Sequence, residues 1–148
     1  MKQLKRLMFF AMALCLTTPA VANELQGLWL SHDDNGKPTG YINILEENGV
    51  YKGVIEKGLD SDKEEKFCTA CRDERKGKRL IGMTVLKEVM KKSNNNYQGA
   101  EILDPFSGNT YRVKLTLKDE GQTLDVRGYV GVSLFGRTQT WKRAENGK

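Results

Sequence analysis

Histidine, cysteine and proline are scarce in this chain: one histidine, three cysteines and three prolines in 148 residues. His32 is the only imidazole, so Ser107 and Ser133 share one candidate base, and no Gly-x-Ser-x-Gly elbow is present. A zinc site needs about four ligands; Cys68, Cys71 and His32 fall short of that. After residue 22 no apolar run approaches the ~20 residues that cross a bilayer as a helix. A surplus of one charge is missing too. Taking Lys2, Lys5 and Arg6 out of the 24 basic residues as part of a leader leaves 21 against 19 acidic, a net charge of +2. That weakens any nucleic-acid reading. Repeats, low-complexity tracts and Gly/Ser linkers are also lacking, and no cofactor motif is found.

What is present begins with a leader. Lys2, Lys5 and Arg6 precede the apolar run Leu7 to Leu16, and Ala20-Val21-Ala22 follows the break at Pro19. These three regions predict a secretory signal over residues 1–22, cut after Ala22. The apolar run is too short for an anchor, and Leu14 before Cys15 argues against a lipid-modified cysteine. Residues 23–148 then form one domain, large enough for a core of its own. The expected location is the periplasm or the exterior of a bacterium. All fifteen glycines follow the leader, which suits a turn-rich β protein.

The periodicity is that of strands. Leu28 to Leu30 opens the fold, and Tyr41 to Leu45 is followed by Asn48-Gly49, a hairpin signal, and a return strand from Val50 to Ile55. Tyr111, Val113, Leu115 and Leu117 alternate with Arg112, Lys114, Thr116 and Lys118, giving one buried and one wet face. Leu124, Val126, Gly128 and Val130 repeat the pattern, and Arg137 to Arg143 is the last strand. Tyr97 to Leu103 adds another. Leu80 to Met90 fits either period, and its first half is read as strand. Residues 58–79 are charged and aperiodic, which predicts a solvated surface loop. About eight short strands joined by tight turns mean a sandwich or an up-and-down barrel, and the consecutive hairpins favour the barrel. Tyr41, Tyr51, Tyr111 and Trp141 are candidates to fill its interior.

Few constellations carry chemistry. Cys68 and Cys71, in an oxidising compartment, are most simply a local disulfide. A redox pair would need a helix N-terminus in a βαβ setting, which is absent, although Lys66, Arg72 and Arg75 would favour a thiolate. Ser31, Asp33, Asn35 and Gly36 imitate the start of a calcium loop, but its twelfth position falls on Ile42 where a Glu is required; a polar turn fits better. Asp104, Asp125, Arg127 and Arg137 are left as acid–base groups that would have to converge. The stretch from Val126 to Ala144 holds no acidic residue. Its Arg127, Tyr129, Arg137 and Trp141 are the candidate ligand-binding residues, for an anionic or amphipathic small molecule, or else groups that satisfy one another.

Two stretches carry a resemblance. Ile102-Leu103-Asp104-Pro105-Phe106-Ser107-Gly108-Asn109-Thr110-Tyr111 and the run Val126-Arg127-Gly128-Tyr129-Val130-Gly131-Val132-Ser133-Leu134-Phe135-Gly136-Arg137-Thr138-Gln139-Thr140-Trp141 resemble two signatures of a family of small secreted bacterial proteins of unknown function. Cys68-Thr69-Ala70-Cys71 and Leu80-Ile81-Gly82-Met83 are similar to a subset of it. The resemblance implies a small β-barrel and no established activity. Gly27-Leu28-Trp29, with Arg137 and Arg143 bracketing the last strand, also resembles lipocalin-like barrels, where a late basic side chain packs on the indole. For this chain it implies closure of one barrel end by Trp29 and Arg137.

The expectation is therefore an all-β, lipocalin-like barrel of about eight antiparallel strands. It is not expected to be an enzyme, to hold a metal or cofactor, or to bind nucleic acid. It would bind a small ligand in its mouth, or else serve as an envelope interaction module with a filled interior.

Overall fold

The computed structural model describes residues 24–59 and 66–144. The expected signal peptide and its cleavage point after Ala22 lie outside the described residues. Eight strands follow in order: β1 (Gly27–His32), β2 (Pro38–Glu47), β3 (Val50–Gly58), β4 (Thr84–Lys91), β5 (Asn96–Asp104), β6 (Asn109–Lys118), β7 (Thr123–Tyr129) and β8 (Arg137–Arg143). Each pairs antiparallel with the next, and β8 returns to β1, so the sheet closes into an up-and-down barrel. Closure removes the free edges that an open sheet would present. The helical turns among the described residues are two short 3-10 turns, Asp119–Gly121 and Ser133–Phe135.

The alternation in β6 and β7 sets the two faces. Val113, Leu115 and Leu117 point inward, and across the ladder Leu115 meets Val126 while Leu117 meets Leu124. Arg112, Lys114 and Lys118 stay outside and exposed. Glycine makes the tight interior workable. A Cβ on Gly99 would lie 2.7 Å from both Val113 Cγ1 and Val89 Cγ2, so only a bare backbone lets those side chains meet there. Tyr41 faces outward, contrary to the expected filling role, because Ile42 and Ile44 take the inward positions beside it.

The barrel has two unlike ends. The closed end gathers the turns at 48–49, 92–95 and 119–122 together with the segment before β1. There Leu25 and Trp29 are fully buried, and the indole Nε1 donates to the Leu25 carbonyl at 2.9 Å. Tyr51 and Tyr97 meet edge to face, 5.4 Å between centroids. The cation over Trp29 is Arg143, whose guanidinium carbon sits 4.3 Å from the ring centroid. This corrects the expected pairing with Arg137. The register explains it: Trp29 lies directly opposite Arg143 across the β1–β8 seam, and Arg137 starts the same strand at the other end. Arg143 also donates to the carbonyls of Gly121 at 2.6 Å, Gln26 at 3.0 Å and Glu24 at 2.6 Å.

Two further expectations change. β4 begins at Thr84, so the strand occupies the second half of the ambiguous stretch; Leu80 to Met83 forms a turn whose Gly82 and Met83 hydrogen-bond with Ile55. The segment 66–83, which takes in residues 66–79 of the charged loop, is a lobe packed on the barrel wall. Cys68 and Cys71 are bonded to each other and buried, and so is Arg75. Arg75 pairs with Asp73 and with Glu101 of β5, the latter at 2.7 Å, and donates to the Thr84 carbonyl at 3.2 Å. Its hydrogen bonds hold the Asp73 carboxyl down at about 2. Local charge balance hid this packing, because Arg75 finds one partner two residues away and the other across the lobe. Gly108 completes the contact: a Cβ there would lie 1.9 Å from the Ala70 carbonyl oxygen.

Candidate functional site

At the other end the hairpin turns at 33–37, 105–108 and 130–136 and the 66–83 lobe stand around an opening. Below them is a cavity of about 890 Å³. Its walls are apolar where strands supply them: Ile42, Ile55, Ile102, Tyr111, Val126 and Trp141. This follows from period two, because inward positions of successive strands stack into one lining. The rim is polar, with Asp33, Asp34, Lys57, Lys66, Arg79 and Arg137 contributed by strand ends and turns.

Near the mouth β1 and β8 are held less by their ladder than by side chains. Their backbone pairing covers only Trp29 with Arg143 and Leu30 with Lys142. Farther up, Asp34 accepts from Arg137 at 2.9 Å and from Gln139 at 3.1 Å. The Gln139 and Arg137 hydrogen bonds lower the Asp34 pKa below its ordinary value. Both partners lie on the inward side of β8 at alternate positions with Trp141, whose indole Nε1 donates to Gln139 at 3.3 Å. One polar chain thus runs from the rim to the cavity wall.

His32 ends β1 beside this chain. It is buried, it borders the cavity, and its Nδ1 has no hydrogen-bond partner among the described residues. A buried polar atom left unpaired costs ~1–3 kcal/mol, so this position favours a hydrogen-bonding group in the cavity. The neighbouring Ser31 is satisfied, with its hydroxyl donating to the Gly40 carbonyl at 2.8 Å.

The four candidate ligand residues divide. Trp141 is in the cavity wall and Arg137 on the rim. Arg127 is not in the lining. It occupies an outward position of β7, since Val126 and Gly128 on either side face in, and it binds the β7–β8 turn instead. Its Nε donates to Ser133 O at 2.7 Å, and its other nitrogens donate to Thr138 Oγ1 at 2.8 Å and Leu134 O at 3.2 Å. A ligand-facing Arg127 is therefore corrected to a loop-holding one. Tyr129 borders the rim, but its ring stands on the outer face under Lys114, 5.7 Å from the ring centroid.

Nor do the acid–base candidates converge. Asp125 pairs with Lys118 and accepts from Thr140 at 2.8 Å. Asp104 caps its own turn through Phe106 N and the Ser107 hydroxyl. Asp33 does likewise, accepting from Asn35 N and Lys37 N at 2.9 Å each, the polar turn expected in place of a calcium loop.

Sequence reasoning missed Asp34, Gln139, Ile55 and Ile102. Gln139 was within reach, since it alternates with Trp141 and Arg137. Asp34 carried no signal, because its partners lie more than a hundred residues away.

A closed eight-stranded antiparallel barrel, plugged at one end and hollow at the other, is the architecture of lipocalin-like proteins. The chain belongs to a family described as an uncharacterized protein conserved in bacteria (DUF2147), whose model matches residues 27–143. No curated protein sequence matches it. Among solved structures it is similar to protein HP1028 from the human pathogen Helicobacter pylori, described as belonging to the lipocalin family. The TM-score is 0.73 at 21% identity, over 83% of this chain and 84% of that one. At that identity the likeness concerns the fold.

Proposed function

We propose that this protein, exported from the cytoplasm, binds one small amphipathic ligand in the mouth of its barrel. The observation that carries this reading is the cavity itself. Its roughly 890 Å³ lies in the range of small-molecule sites, which combine apolar walls with a few placed polar groups. Ile42, Ile55, Ile102 and Trp141 would take the apolar part, and the polar end would sit at the rim beside His32. The rim carries both charge signs, and Arg137 is already paired with Asp34, so an amphipathic ligand suits it better than a strongly anionic one. Export is supported by the Cys68–Cys71 disulfide, a bond that persists in oxidising compartments, and by the leader pattern of residues 1–22.

Native mass spectrometry of protein purified from its own envelope tests the reading, together with saturable binding of a fluorescent amphipathic probe such as N-phenyl-1-naphthylamine. The expected result is one carried molecule or one probe site, lost in Val126→Trp, whose indole would occupy the cavity. Wild-type protein that carries nothing and shows no saturable probe binding would overturn it.

A further inference from the structure

We propose that the mouth end of this barrel docks on the surface of an anionic phospholipid bilayer. The inference concerns the outer surface and stands whether or not the cavity holds a ligand. It starts from where apolar side chains are left in water. The five most exposed large apolar residues among the described ones are Val130, Val132, Leu134, Phe135 and Phe106, and no other such residue is more than 50% exposed. Four lie on the β7–β8 turn and the fifth on the β5–β6 turn, both at the mouth; Val130, Phe135 and Phe106 border the cavity. Scattered exposed apolar groups are ordinary, but a group gathered at one end marks an interaction site.

The turn is held in this shape. Arg127 donates to the carbonyls of Ser133 and Leu134, and Lys114 donates to the Ser133 hydroxyl at 3.0 Å. These bonds fix the backbone, while Leu134 is 78% and Phe135 80% exposed. The apolar tips are thus presented by a braced turn.

Charge decides the partner. On the outer face behind the turn, Arg112, Lys114 and Arg127 lie together on adjacent strands, with Lys114 directly opposite Arg127. Like charges in that position repel. Several cations elsewhere on the barrel have carboxylates within reach: Lys118 with Asp125, Lys87 with Glu101, Arg75 with Asp73, Arg137 with Asp34. Arg112, Lys114 and Arg127 have none among the described residues. An uncompensated cationic face beside exposed apolar tips matches a bilayer, whose phosphates take the cations while the tips enter the acyl boundary.

Flotation of the mature chain with vesicles tests this. The expected result is binding to equimolar phosphatidylglycerol and phosphatidylethanolamine, and little to phosphatidylcholine alone. Leu134→Ser with Phe135→Ser should reduce partitioning by roughly tenfold or more. Arg112→Gln with Lys114→Gln should reduce it by about fivefold per cation and flatten its salt dependence. All four positions are exposed, so circular dichroism should show unchanged folds. Val126→Trp should still float, which separates this surface from the cavity. Three results would overturn the proposal: no flotation with anionic vesicles, equal flotation of the Leu134/Phe135 variant, or a dimer that this variant dissociates without any vesicle binding.

Discussion

At the closed end, Trp29, Leu25, Tyr51 and Tyr97 fill the barrel and Arg143 ties two stretches of main chain, 24–26 and the turn at Gly121, to its floor; at the mouth the same strands part around about 890 Å³ of space, and Arg137 holds only an exposed carboxylate. Both arginines belong to β8. They differ in what surrounds them. Arg143 sits over an indole with carbonyl partners and is desolvated enough to lower its pKa; the Arg137 side chain is 85% exposed. Interactions shielded from water are stronger and costlier to break. The shielded contacts are thereby concentrated at the filled end, while the mouth is held by exposed ones.

The comparison is broken most directly at Arg143. Arg143→Ala removes the contact with Trp29 and leaves the carbonyls of Gly121, Gln26 and Glu24 without that donor. A loss of about 2–4 kcal/mol follows, seen as a fall of several degrees or more in thermal melts. Arg143→Lys should recover only part, since one ammonium lacks the planar fork that reaches several acceptors. A melt unchanged by Arg143→Ala would show that the closed end does not anchor the barrel.

The disulfide comes next. Cys68 and Cys71 are three positions apart, and so small a loop removes only about 2 kcal/mol of unfolded-state entropy. Cys68→Ala with Cys71→Ala should lower the urea midpoint modestly and leave the eight strands intact. The lobe keeps Arg75 with Glu101 and Asp73 as a second attachment. A double variant that fails to fold would mean that the lobe, and not the closed end, organises the barrel.

Much of this architecture was legible because period two is local information. Tyr111 to Lys118 declares its inner and outer faces within eight residues, and the hairpin signal at Asn48-Gly49 fixes which strands pair. The same logic, carried one step further, puts Arg127 outside, because Val126 and Gly128 beside it face in. What stayed illegible depends on register around the closed ring. Nothing near Trp29 says that its cation comes from Arg143 and not Arg137; that follows from where β8 meets β1. The lobe was misread for a related reason. Its charges cancel locally whether they are solvated or buried, and only contact with Glu101 separates the two cases. The cavity was open to doubt because an eight-stranded barrel is filled or hollow according to side-chain volume. Here Trp29, Tyr51 and Tyr97 fill one end, while Tyr111 and Trp141 lie along the cavity wall.

The smallest effect is expected at Arg137. Its partner Asp34 is also well exposed, at 43%, and such pairs contribute about 0–1 kcal/mol, so Arg137→Ala should shift the melt far less than Arg143→Ala. Acid gives a finer reading of the same bridge. The Asp34 pKa is lowered in the folded protein by the bonds from Gln139 and Arg137. Its contribution is therefore complete above the ordinary value of 3.8 and is lost as pH falls through the lower folded value. The Asp73 carboxyl, held down at about 2 by Arg75, should keep its bond to Arg75 further into acid. In an NMR titration, amides of the 33–37 turn should therefore respond before those around Asp73, with near-native signals persisting at Trp29 and Arg143 throughout. Loss of the Asp73–Arg75 bond before the Asp34 bridge would reverse that order. An Arg137→Ala melt as low as that of Arg143→Ala would mean that the mouth bears as much of the fold as the floor.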